Sequence, residues 1–189
     1  MNLNEITVKN YNGIGTLVEE REDGERKYIG EYYDGREHGI GVYTSKSGKH
    51  KYAGQFYENK VEGIGIKKTD DNDGVYCGEY RNNQKEGLGY WKFPNGATFV
   101  GEFNSNSPNG FGVLITWEGL KFIGIVTGWF FAVQGKWYNK NNEEIDITKL
   151  GYKSDGTKII NEEGREIYIY PNGAKHIKGH SKIDYLSSV

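Results

Sequence analysis

The chain has 189 residues, a charged fraction of 26% and a formal net charge of −2. That length suits one domain or one short repeat array. The charged fraction excludes a membrane-buried protein, and charges of both signs, interspersed, give no one-signed field to concentrate nucleic acid or anionic lipid. Its 28 Gly, with 15 Tyr and only 3 Pro, are about double the usual ~7% without a collagen period, so a repeat is sought first.

Residues 1–11 read as a lead-in without an apolar signal core. The longest near-apolar run, Ile123 to Val133, is broken by glycines and falls short of the roughly 20 residues of a spanning helix. Cys77 is the single cysteine, so no intrachain disulfide forms. With the many Asn and Lys residues, this points to a reducing, cytoplasmic setting.

From residue 12 to 138 the sequence repeats. After an incomplete unit, Asn12-Gly13-Ile14-Gly15, come Tyr28-x-Gly30, Tyr52-x-Gly54, Tyr76-x-Gly78, Phe99-x-Gly101 and Phe122-x-Gly124, spaced by 24, 24, 23 and 23 residues. In the first four of these a Gly-x-Gly follows nine residues later: Gly39-Ile40-Gly41, Gly63-Ile64-Gly65, Gly87-Leu88-Gly89 and Gly110-Phe111-Gly112. Asp23-Gly24, Ser47-Gly48, Asp73-Gly74, Asn95-Gly96 and Glu118-Gly119 mark further turns. Each unit therefore reads as strand, turn, strand, turn.

Alternate residues of a strand share a face. Tyr28, Gly30 and Tyr32 point one way, as do Tyr52, Gly54 and Phe56, then Tyr76, Gly78 and Tyr80, then Phe99, Gly101 and Phe103, with Phe122 opening the fifth unit. Both glycines of the returning strand, such as Gly39 and Gly41, are expected to extend a floor without Cβ atoms on which the rings lie. Stacked hairpins would then bury an aromatic row that no single unit shelters, in a twisted ribbon on the order of 50 Å long.

The motif Tyr-x-Gly-Glu-aromatic, short polar turn, Gly-x-Gly, then Asp/Asn-Gly resembles the MORN repeat (membrane occupation and recognition nexus), in "YIGEYYDGREHGIG", "YAGQFYENKVEGIG", "YCGEYRNNQKEGLG" and "FVGEFNSNSPNGFG". The resemblance implies an all-β fold, an elongated single-layer antiparallel sheet of stacked hairpins. It also implies a scaffold that associates with itself or grips a partner segment in its groove, often in cytoskeletal, ciliary or membrane-associated assemblies. It does not imply catalysis.

The fifth unit departs from the pattern. Trp129-Phe130-Phe131-Ala132 fill the place of a polar turn, Val133 replaces the first glycine of Gly-x-Gly, Gly135 keeps the second, and Trp137-Tyr138 follow. Two readings stand: a cap packed under the C-terminal segment, or a docking patch made of Trp129, Phe130, Phe131, Trp137 and Tyr138. Residues 139–189 are expected to add two or three strands of a degenerate array, from runs such as Ile167-Tyr168-Ile169-Tyr170, and to end in a loose tail from Ile183.

No constellation for chemistry stands out. Asp70-Asp71-Asn72-Asp73-Gly74 begins like a calcium loop, but Tyr80 stands where the closing Glu is needed. His176 and His180 have metal-ligand spacing only on a helix, which Gly179 opposes. Lys46, Lys49 and Lys51 read as a solvated turn, and Cys77 as a small apolar member of a column on the second face, with no base placed to activate it. The column Glu31, Gln55, Glu79 and Glu102 is expected to bond backbone or lysine neighbours, and no Gly-x-Gly leads into a helix that could hold a phosphate. No cofactor, metal or catalytic residue is expected. The leading function is a non-catalytic scaffold that binds other proteins, and the alternative is a peripheral phospholipid-binding module that tethers to membranes.

Overall fold

The computed structural model describes residues 11–21, 24–69, 74–128, 131–162, 165–171, 174–178 and 183–185. Twelve strands form one antiparallel sheet in which sequence neighbours are sheet neighbours throughout. They are β1 (Gly13–Arg21), β2 (Gly24–Tyr33), β3 (Arg36–Ser45), β4 (His50–Tyr57), β5 (Lys60–Thr69), β6 (Gly74–Arg81), β7 (Gln84–Lys92), β8 (Thr98–Asn104), β9 (Ser107–Ile115), β10 (Lys121–Thr127), β11 (Phe131–Tyr138) and β12 (Glu144–Ile145). The sheet is a meander of hairpins and does not close on itself.

The register explains the period. Gly15 pairs with Gly30, Gly30 with Gly41, Gly41 with Gly54, and so on to Gly124 with Gly135, so every strand from β1 to β11 contributes one glycine to a single row across the sheet. The rings lie on that row. A Cβ at Gly89 would stand 2.6 Å from Cζ of Tyr76, and one at Gly78 would stand 2.6 Å from the Gly89 Cα. Neither distance leaves room for a methyl group.

The other glycine of each Gly-x-Gly has a different job, which corrects the expectation that both floor the rings. Gly39, Gly63 and Gly87 adopt positive φ of 56°, 62° and 57°, and Gly110 one of 139°. They lie beside register shifts in the ladder, such as the one between Gly78 and Glu79 in the β6–β7 pair. Each is a β-bulge, where left-handed backbone favours glycine. A Cβ on Gly87 would meet the Glu79 carboxylate, 2.5 Å from Oε2.

The tight turns are two-residue links with both residues at positive φ: Asp34-Gly35, Glu58-Asn59, Asn82-Asn83 and Ser105-Asn106. This is the type I′ arrangement that suits the twist of paired strands. Sequence reading missed that the second turn residue also locks one unit to the one before. Asn59 Oδ1 accepts from the Glu37 N–H at 2.8 Å while its own N–H donates to the Glu37 carbonyl at 3.0 Å. Asn83 does the same with Val61 and Asn106 with Lys85. The clamp recurs once per unit because the turn places one amide beside one exposed strand end.

Of the C-terminal segment only the short β12 extends the ladder, which corrects the expectation of two or three more strands of a degenerate array. After β12 and a 3-10 turn at Ile147–Leu150, β13 (Lys158–Glu162), β14 (Arg165–Ile169), β15 (Ala174–Ile177) and β16 (Ile183–Tyr185) form a second antiparallel sheet. Residues 183–185 are thus a strand, where a loose tail was expected; the rest of that tail lies outside the described residues. The segment reaches the array through Trp137, which is buried, donates from Nε1 to the Ser154 carbonyl at 3.3 Å, and packs against Gly156.

Gly89→Ala should lower stability by about 3 kcal/mol, the cost of pushing an extra methyl into a packed site. Gly15→Ala, at the end of the same row, meets only the Tyr11 and Tyr32 rings at 3.3 Å and beyond and should change it by under about 1 kcal/mol. Equal costs in urea unfolding would refute the ring-on-glycine account. Asn83→Gly keeps the turn's φ but removes the acceptor of the Val61 N–H, and should cost about 1 kcal/mol, read as a lower denaturation midpoint at unchanged slope.

Candidate functional site

The sheet has two unlike faces. On the first, the nine expected groove aromatics, Tyr28, Tyr32, Tyr52, Phe56, Tyr76, Tyr80, Phe99, Phe103 and Phe122, are all buried, none more than 5% exposed. They pack as an edge-to-face train: Tyr28 on Phe56 at 4.9 Å, Tyr52 on Tyr80 at 5.4 Å and Tyr76 on Phe103 at 4.9 Å between centroids. Each such pair is worth about 0.5–1.5 kcal/mol beyond burial. These rings are the core of the molecule.

Charged stems close this face over the rings. Lys85, only 6% exposed, holds Nζ 3.3 Å from the Trp91 ring centroid. Arg26 reaches the buried Glu37 at 2.6 Å and lies over Tyr43. A hollow of about 170 Å³ remains, lined by residues that include Tyr43, Tyr52, Val61 and Lys67.

Phenol groups of the first three full units cross the glycines to the bulge carbonyl. Tyr28, Tyr52 and Tyr76 donate to the carbonyls of Glu31, Gln55 and Glu79 at 3.0, 3.0 and 3.1 Å. Burial is the main cause that raises all three tyrosine pKa values. For Tyr28 and Tyr76 nearby carboxylates add to it, and for Tyr52 the bonded backbone opposes it, leaving that phenol pushed up to about 12. Glu31, Gln55, Glu79 and Glu102 in turn accept the N–H of Ile40, Ile64, Leu88 and Phe111 at 2.9, 2.7, 2.9 and 3.1 Å. The column of acids holds the bulges, and no two of them are paired for acid–base work.

The second face is open and ordered in rows. One row runs from Ile29 through Val42, Ala53, Ile66, Cys77, Tyr90, Val100 and Val113 to Ile123, each directly opposite the next. On one side, toward the bulges, Ile40, Ile64, Leu88 and Phe111 alternate with the acid column. On the other, Lys27, Lys51, Lys68, Lys92 and Lys121 occur in a row that contains no carboxylate from Val18 to Tyr138. Exposure reaches 62% at Leu88 and 57% at Ile64. At one end a hollow of about 350 Å³ lies among Lys27, Ile29, Val42, Thr44, Ser45 and Lys46. Such a contiguous exposed apolar surface marks an interaction site on soluble proteins.

Of the five residues expected to meet a partner, Trp137 is internal, held under the C-terminal segment as described. Tyr138 is half-buried, with Lys121 Nζ 5.1 Å from its ring centroid. Phe131 begins β11, and Trp129, Phe130 and the side chain of Phe131 lie outside the described residues, as does the Asp70–Asp73 turn. His176 pairs with Tyr168 in the second sheet, and His180 is outside the description. Among the described residues no group of three or more His, Cys, Asp or Glu is placed to hold a metal ion. No helix there is long and apolar enough to cross a membrane.

A family model described as the MORN repeat matches residues 28–50, 76–98 and 99–116. A search of curated proteins finds no match. The unmatched unit at Tyr52 has the same geometry as its neighbours, with Gly54 opposite Gly65 and the Tyr52 phenol on the Gln55 carbonyl. Arrays of this kind are protein- or membrane-interaction modules.

Because the folded state keeps Tyr28, Tyr52 and Tyr76 protonated while the unfolded chain ionises near pH 10, stability is fully present below that pH. It falls as pH rises from about 10 toward the raised folded values. A melting temperature that declines over this range, with tyrosinate absorbance lagging until unfolding, is expected. Free titration of all tyrosines in the folded protein would contradict it.

Proposed function

We propose that this chain, a MORN-repeat protein, is a non-catalytic scaffold that joins other proteins into a larger assembly, in the cytoskeletal or ciliary setting that the family resemblance implies. The observation that carries this reading is the division of the sheet: one face is consumed by its own aromatic core, and the other displays a continuous apolar row between a basic and an acidic flank. A surface of that length serves recognition, since the residues along it are neither buried by the fold nor gathered into a reactive cluster.

The turn at residues 129–131 is the first candidate for a specific contact. The sequence lacks the clamp residues there: Pro108 stands where Glu37, Val61 and Lys85 donate an N–H, and Trp129 stands where Asn59, Asn83 and Asn106 supply the acceptor. Proline has no N–H and indole has no acceptor, so the side-chain half of the clamp has neither donor nor acceptor at these positions.

A peripheral lipid-binding role has one observation in its favour, the lysine row beside the apolar one. Against it, adjacent strands rotate by roughly 20–25°, so a plane touches only a few strands of so long a sheet. Flotation with anionic vesicles separates the readings, because salt-sensitive binding is the mark of the lipid role.

Affinity capture from native lysate with the intact chain and with the Trp129→Ser, Phe130→Ser, Phe131→Ser variant tests the scaffold reading. Loss of a defined protein set from the folded variant is expected, and cosedimentation of that set with the detergent-resistant cytoskeleton checks the setting. Recovery of the same set by both baits removes the aromatic turn as the contact.

A further inference from the structure

We propose that the second face of the array is self-complementary and pairs with the same face of another copy of this chain, forming a two-fold dimer whose axis runs along the apolar row. The family resemblance implies self-association without saying where; the face and the axis are what is inferred here, and they do not depend on the scaffold reading.

The order of the rows carries the inference. Moving along the strands, the face shows the lysine row, then the apolar row containing Ile66, Cys77 and Tyr90, then the row that holds Glu31, Glu79 and Glu102. Two copies can meet face to face by a half-turn in the plane of contact. A half-turn about an axis along the strands sets lysine over lysine, which like charges oppose. About an axis along the apolar row, the basic flank of each copy falls over the acidic flank of the other, and apolar residues meet apolar ones. The charges therefore select one of the two arrangements, and the patch matches itself, as a two-fold interface requires.

The selected axis fixes the contacts. Rotation about the row keeps each strand's position along it, so every residue of the apolar row stands over its own counterpart. Cys77 on β6 meets Cys77, and Lys92 on β7 falls within one strand spacing, about 4.8 Å, of Glu79 and Glu102 of the other copy. Lys27 stands over Glu31. An identical ribbon also twists with the same hand, so the two sheets stay in contact over more strands than a flat surface could, as in aligned sheet packing. Face-to-face sheets stack about 10 Å apart, which brings side chains of the two rows into van der Waals reach.

Cys77 is exposed and is the only cysteine in the chain, so it reports on the geometry without an engineered label. The test is sedimentation equilibrium of the intact chain, alongside Ile66→Glu, Lys92→Glu and Cys77→Ser, with treatment by a short bismaleimide. A dimer is expected whose dissociation constant rises at least tenfold in Ile66→Glu, and also rises in Lys92→Glu and with added salt, while circular dichroism and melting temperature of both variants stay near those of the parent. A covalent dimer should form rapidly in the parent and not in Cys77→Ser.

A chain that is monomeric at all accessible concentrations overturns the proposal. So does a dimer that Ile66→Glu leaves intact, which would place the interface elsewhere, for instance at the edge of β1. A dimer that Ile66→Glu dissociates but that does not crosslink at Cys77 overturns the axis. A monomer that floats with anionic vesicles and loses that binding in Lys92→Glu assigns the face to lipid instead.

Discussion

Everything in this molecule depends on an aromatic ring lying flat on glycine. A single-layer sheet has no second layer to cover its apolar face, and ordinary strand side chains would stand upright and remain wet. Removing Cβ from one position in every strand opens a trough, and the Tyr or Phe two residues earlier folds down into it. The ring is then covered by the edge of the next ring, and burial is achieved within one layer. That is why rings such as Tyr28, Tyr76 and Phe99 are at most 1% exposed in a sheet that never closes.

The remaining features follow from making such a trough periodic. The bulges at Gly39, Gly63 and Gly87 bring a backbone carbonyl beside a phenol, and in these and at Gly110 the carboxylate or amide of the adjacent strand holds the N–H that follows the bulge glycine. The turn amides of Asn59, Asn83 and Asn106 join one unit's end to the next. Each unit thus contributes a ring, a bulge, an acid and a clamp, and none of them is complete without its neighbour, the nearest-neighbour logic of repeat arrays. The repeat pattern ends in the fifth unit: Pro108 and Trp129 stand at the clamp positions in the sequence, the bulge persists with Val133 in place of glycine, and Trp137 meets the C-terminal segment.

Much of this was legible in the sequence because its signals are local. The 23- and 24-residue spacing, the Tyr-x-Gly pairs and the Asx-Gly turns state strand, turn and face directly, since side chains alternate with a period of two. The two glycines of Gly-x-Gly looked equivalent for the same reason: alternation puts both on one face, and nothing in composition marks the register shift that gives one of them positive φ. The turn asparagines were visible only as polar turn residues, because the partner of each lies 21 or 22 residues back and is defined by how units stack.

The sequence by itself determined the repeat, the all-β class, the aromatic face and the point at which the pattern ends, all of which are set by short-range periodicity. Only the tertiary structure decided the cross-strand rows. Lys27, Lys51 and Lys121 each precede the aromatic that opens a unit, and Lys68 and Lys92 share one position on the returning strand, but these two sets fall into one line only when the register of every hairpin is fixed. The same register puts an apolar row beside them and carboxylates beyond it. It also separates β13–β16 into their own sheet, because strand pairing is chosen by contact across the fold and leaves no mark in the spacing of residues.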